Sequence, residues 1–137
     1  MAGRMAPVHS PQAALTAAQS LPPVSRNGAS TNTANGSAID LRGSRGAYFQ
    51  INVGALTGAA NYLGYLQTGD NPDDAANANW TNVNTTTYSN AGLTVKTNAN
   101  TTWELSYDAA EGRVNQVRMV LVTDANVAVI GASHVIY

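Results

Sequence analysis

The sequence contains no cysteine, a single lysine and a single phenylalanine, and only 11% of its 137 residues are charged. Without thiols there are no disulfide frameworks, no thiolate zinc sites and no cysteine nucleophiles. Seven basic against eight acidic residues leave a net charge of -1, with none of the basic striping that neutralises phosphates. Nucleic acid is therefore not an expected partner. No segment approaches the roughly 18 apolar residues of a membrane-spanning helix. The opening "MAGRMAPVHSPQ" lacks the apolar run of about 7–15 residues of a secretory signal. The expectation is synthesis in a cytoplasm, no export by that route and no membrane partner.

The scarcity extends to chemistry. Of the two histidines, His9 lies in a polar N-terminal stretch and His134 in the strand-like "ASHVIY", so neither presents the nucleophile, base and orienting group that catalysis requires. The densest acidic cluster, "GDNPDD" at 69–74, matches Asx turn chemistry better than a calcium loop, because no glutamate stands where the twelfth ligand belongs. Carboxylates elsewhere propose no pair across a cleft, and no phosphate-binding loop is present. The expectation is a non-enzymatic protein without metal or cofactor.

What is present is mainly alternation. "YFQINV" sets Phe49, Ile51 and Val53 on one face against Tyr48, Gln50 and Asn52, the period of a half-buried strand. "TWELSYD" does the same with Trp103, Leu105 and Tyr107 inward. "LTVKT" sets Leu93, Val95 and Thr97 against Thr94 and Lys96. "NYLGYLQ" is strand-like, with Gly64 marking a bulge or close approach. The C-terminal run reads as strands over Val114–Thr123 and Val127–Tyr137 joined by a hairpin loop of Asp124, Ala125 and Asn126. The stretch from Thr68 to Gly92 reads as a long polar loop.

Six or seven short strands in about 100 residues predict an all-β fold, an antiparallel β-sandwich or barrel, with a jelly roll among the candidates. The expected core draws on Phe49, Ile51, Val53, Leu56, Leu66, Trp80, Val83, Leu93, Val95, Trp103, Leu105, Tyr107, Val117, Met119, Leu121, Val127 and Val129. Such a core is small enough that oligomerisation is expected to assist it.

Residues 1–36 differ, with four of the five prolines and few large apolar side chains. They read as an extended, partly disordered arm, leaving residues 37–137 as the β domain. Ser10 as N-cap and Pro11 at the first helical position predict a short helix over 11–20, stopped at Leu21 by Pro22.

Two features have binding readings beside structural ones. Arg42 and Arg45, set among glycines in "DLRGSRG", either flank a tight turn or reach a neighbouring subunit's carboxylates. Trp80 and Tyr88 either belong to the fold or face a glycan from the polar loop.

The motifs "IDLRGSRGAYFQINVGALTG", "YLGYLQTGDNPDDAANANWTNV" and "VNQVRMVLVT" resemble those of small structural proteins encoded near the capsid genes of tailed bacteriophages. The likeness covers most of residues 38–137. It implies a virion protein, a capsid decoration or cement protein on the outer surface of the head. The major capsid protein would be its partner, and a trimer its first expected oligomer. On that resemblance the arm contributes Leu15, Leu21, Val24 and Arg26 as contacts, beside Arg42 and Arg45. The alternative is a carbohydrate-binding or tail- or fibre-associated β module of the virion.

Overall fold

The computed structural model describes residues 16–26, 32–83, 91–108, 116–124 and 128–137. In chain order the strands are β1 (Thr16–Arg26), β2 (Asn32–Asn35), β3 (Ile39–Asp40), β4 (Gly46–Leu56), β5 (Tyr62–Gly69), β6 (Trp80–Asn82), β7 (Gly92–Lys96), β8 (Thr101–Asp108), β9 (Gln116–Thr123) and β10 (Ala128–Ile136). Sheet I has the order β1-β10-β4-β8, and sheet II the order β2-β9-β5-β6, with β3 also on β9 and β7 also on β5. Every pairing is antiparallel.

Sheet II is narrower than its strand count suggests. β2 and β3 pair with successive parts of the same edge of β9, at 120–123 and 116–117. β6 and β7 share β5 in the same way, at 67–69 and 62–65. Each sheet is thus four positions wide, and the chain passes between them repeatedly. Two facing four-position sheets connected in this order form a jelly-roll sandwich.

Period-two patterning carries the local structure. In β4, Phe49, Ile51 and Val53 are buried while Asn52 is exposed. In β8, Leu105 and Tyr107 are buried and Trp103 packs against the core from a half-buried position. β9 contributes Val117, Met119 and Leu121, and β10 contributes Ala128, Ile130 and Ala132. At about 2 kcal/mol per large apolar side chain removed from water, the two inner faces supply the drive for the sheets to pack. Two expected core residues are instead exposed, Val95 at 59% and Val129 at 37%. Val129 stands on the outer face of β10, opposite in phase to Ala128 and Ile130. Val95 follows a register shift in the β5–β7 pairing, which breaks the alternation read from Leu93. Val127 lies outside the described residues.

The N-terminal boundary is also corrected. The helix expected over 11–20 is strand from Thr16 onward, with 11–15 outside the described residues. Residues 16–26 and 32–35 are edge strands of the two sheets, so a β domain starting at 37 would lack both. Pairing with β10 overrides the local helix signal. β1 accommodates its two prolines because it is an edge strand with register shifts between Gln19 and Leu21 and between Leu21 and Val24, the setting in which strands tolerate proline. These irregularities allow both Ser20 and Leu21 to be buried, at 3% and 4% exposure. The Ser37 amide then donates to the Ser20 carbonyl (3.0 Å) and the Gly36 amide to the Met119 carbonyl (2.7 Å), tying the two sheets together at this seam.

β9 and β10 do not form the expected hairpin. They belong to opposite sheets and do not pair with each other. The polar stretch after Thr68 is likewise more than loop, since it holds a 3-10 turn at Ala75–Asn77 and strand β6.

The fit of β1 onto β10 depends on Gly131. A Cβ there would lie 2.8 Å from the Cα and 2.9 Å from the nitrogen of Pro23, closer than backbone can yield without moving the strand. Gly131→Ala is expected to lower the urea midpoint by an amount equivalent to about 1–3 kcal/mol. An unchanged midpoint would show that β1 is not held on β10 in solution.

Candidate functional site

The outer face of sheet II carries a connected set of polar and aromatic side chains. The core-facing row of β9 is Val117, Met119 and Leu121, so alternation directs Arg118, Val120 and Val122 to the other face, where Arg118 and Val122 are partly exposed and Val120 is covered, at 1% exposure. Register places them beside Gln67, Tyr65 and Leu63 of β5 respectively. β6 adds Trp80 opposite Gly69 and Asn82 opposite Gln67.

Arg118 is the centre of this set. Its guanidinium carbon lies 4.1 Å from the centroid of the Trp80 ring, within the range of a cation–π contact. Its Nε donates to Gln67 Oε1 at 2.9 Å, and Gln67 Nε2 donates to Asn82 Oδ1 at 2.9 Å. Gly69 makes room for the indole, because a Cβ there would come within 3.1 Å of Trp80 Cη2 and would also collide with the Gln116 amide. The only ion pairs among the described residues are those of Arg42, so no described carboxylate neutralises Arg118. Burial pushes its pKa down, against a smaller opposing influence from Tyr65.

The residues proposed from sequence have separate fates. Arg42 forks onto Asp40, with Nε at 3.0 Å from both carboxylate oxygens and Nη2 at 2.6 Å from Oδ2, and also reaches Asp73 Oδ1 at 2.7 Å. This arrangement holds the turn and the acidic loop together within one chain, and the guanidinium hydrogen bonds keep Asp40 below its ordinary value of 3.8. Arg45 is exposed and contributes its backbone amide to the Tyr137 carbonyl at 2.6 Å. Leu21, expected as a contact, is core. Val24 is 45% exposed on β1. Arg26 ends β1, and its side chain, like Leu15 and Tyr88, lies outside the described residues.

The "GDNPDD" segment is turn chemistry. Asn71 Oδ1 accepts from the Asp74 amide at 3.1 Å, and Asp70 accepts from the Asn79 amide at 2.7 Å and from its Nδ2 at 2.8 Å. No group of three or more metal-ligating side chains occurs among the described residues. Trp103 donates to the Tyr62 hydroxyl at 2.7 Å and carries Lys96 at 4.7 Å over its ring, so it is structural. Sequence reading missed Arg118. Its only signal was its outward phase in a strand, and its contact with Trp80 across 38 positions is set by register alone.

No family model and no curated protein matches the chain.

His134 faces inward at 6% exposure, with its Nδ1 2.6 Å from Ser20 Oγ and its ring tilted against Phe49 at 6.0 Å between centroids. The pair is sealed under β1, where it serves as a seam between strands. Desolvation holds the His134 pKa below its ordinary 6.5, so the unfolded chain takes up the proton first as pH falls. The stabilising effect of the neutral ring is complete above about pH 6.5 and declines below it, by at most about 1.4 kcal/mol per pH unit. Asp40 and Asp70, both held low, act only below 3.8. Urea midpoints should therefore fall from pH 7.5 to pH 5 in the wild type, and His134→Gln should flatten that dependence. An equal slope in both would assign the acid sensitivity to another group.

Proposed function

We propose that this chain is a non-enzymatic structural protein of a bacteriophage virion, a decoration or cement protein seated on the outer surface of the head against the major capsid protein. The observation that carries the reading is the jelly-roll strand order, an architecture that recurs in viral capsid and lectin domains. Fold alone selects a class of role and not a partner. The partner comes from the motifs between Ala38 and Thr123, which resemble those of phage head proteins.

The physical chemistry supports the same reading. A surface dominated by Asn, Thr and Ser, with 11% charge, suits adhesion to a protein lattice better than to a polyanion. Several modest contacts per copy, repeated around a shell or within a trimer, bind through effective concentration without one tight site. The polar outer face with Trp80 favours a second reading, a carbohydrate-binding module of the virion. In that reading Trp80 contacts a glycan, although Arg118 already occupies one face of its ring.

The deciding experiment is binding of purified protein to mature shells lacking it, with saturation stoichiometry and shell stability measured together. A chain beginning at Thr16, which retains all ten strands, is the appropriate comparison for the N-terminal residues. Saturable binding that raises the shell's resistance to heat or chelator is the expected result. No binding by a well-folded chain would reject the cement role, and glycan-dependent tryptophan quenching would then support the second reading.

A further inference from the structure

The outer face of sheet II combines a cation that no described carboxylate neutralises with a separate apolar depression. The depression holds about 170 Å³; Leu63, Val95 and Val122 form its apolar wall, and Asn61, Tyr62, Thr123 and Asp124 complete its lining. Apolar cavities on the order of 150 Å³ accept a benzene ring, so one phenylalanine or leucine side chain fits it. Val95 leaves this wall 59% exposed, the largest value among the exposed large hydrophobic residues described. Arg118 pairs with Gln67 and Val122 with Leu63, a separation of four residues, or roughly 13 Å along the strand. Between them on the same face Tyr65 is partly exposed, over a buried Val120.

We propose that this face is the docking surface for a segment of the shell protein that presents a carboxylate to Arg118 and an apolar side chain to the Leu63–Val95–Val122 depression. The proposal rests on the capsid reading for the identity of the partner. Charge complementarity points to the carboxylate. Arg118 uses its Nε for Gln67, and its terminal nitrogens make no described hydrogen bond, leaving a donor fork suited to bidentate carboxylate recognition. The indole against which it stacks fixes the fork's plane before binding, which lowers the entropy lost on docking. Arg, Trp and Tyr beside an apolar pocket is the composition of protein-binding hot spots. A sugar is the less suitable occupant, because the guanidinium covers one ring face that stacking would use and the adjoining depression is apolar.

The test uses the full chain and mature shells lacking it. Binding is measured for wild type, Arg118→Gln, Arg118→Lys, Val95→Asp and a control, Glu104→Gln, on the outer face of sheet I. Arg118→Gln and Val95→Asp should each weaken binding about tenfold or more. Arg118→Lys should stay weakened despite keeping its charge, and the control should bind as wild type. Val95 is exposed, so its substitution leaves the fold intact, and urea midpoints for every variant separate binding losses from unfolding. Wild-type binding that survives both Arg118→Gln and Val95→Asp overturns the docking face while leaving the cement role standing. Failure of wild type to bind overturns both. Tryptophan quenching by polygalacturonate that disappears in Arg118→Gln would assign the face to an acidic glycan and overturn the proposal in favour of that ligand.

Discussion

Both sheets are built on strands that arrive last. β9 lies inside sheet II between β5 and the β2/β3 edge, and β10 lies inside sheet I between β1 and β4. Until these two segments dock, β1 has no partner, and β2 and β3 have none either, so the N-terminal third of the chain depends on the C-terminal fifth. Almost every pairing is long-range in sequence, and the loop-closure entropy must be met before the core can form. Such a topology folds cooperatively and slowly compared with a helical protein of the same length. It also makes residues 16–26 and 32–35 of the apparent arm integral parts of the sandwich.

Close approach at a few glycines lets those pairings hold. Gly131 lets the diproline segment of β1 lie on β10, and Gly69 lets the Trp80 ring lie across sheet II. The first contact is structural, because it closes the edge of sheet I over Leu21 and the Ser20–His134 bond. The second organises a surface, because the ring orients the Arg118 guanidinium. The same device, a missing side chain beneath a bulky one, therefore serves stability on one sheet and the placement of a surface guanidinium on the other.

The charges divide along the same lines. Arg42 is neutralised by Asp40 and Asp73 and belongs to the scaffold, although its place in a glycine-flanked turn made it a natural candidate for a subunit contact. Arg118 has no described carboxylate and belongs to the surface. Tyr48, whose hydroxyl donates to Glu104 on the outer face of sheet I, is pushed up to about 12 by that hydrogen bond and by burial. At exposed positions such as these, ion pairs add little stability, so their value lies in geometry.

Alternation in β4 and β8 was legible because one face of each strand meets the core and the other meets water. That asymmetry is written in the residue types themselves, and it was enough to predict an all-β sandwich or barrel. The turn chemistry of "GDNPDD" was legible for a similar reason, since Asn and Asp close turns with their own neighbours. Residues 16–26 were misread because their helix signal is local and weak, while pairing with β10, more than a hundred positions away, is stronger. The exposure of Val95 follows from a register shift, and the partnership of Trp80 with Arg118 from strand order. The sequence by itself determined that β4, β5, β8 and the C-terminal run would be strands and which faces β4 and β8 would bury, because those preferences are properties of neighbouring residues. Only the tertiary structure decided which strands lie side by side and that Trp80 stacks on Arg118, because both depend on contacts between segments far apart along the chain.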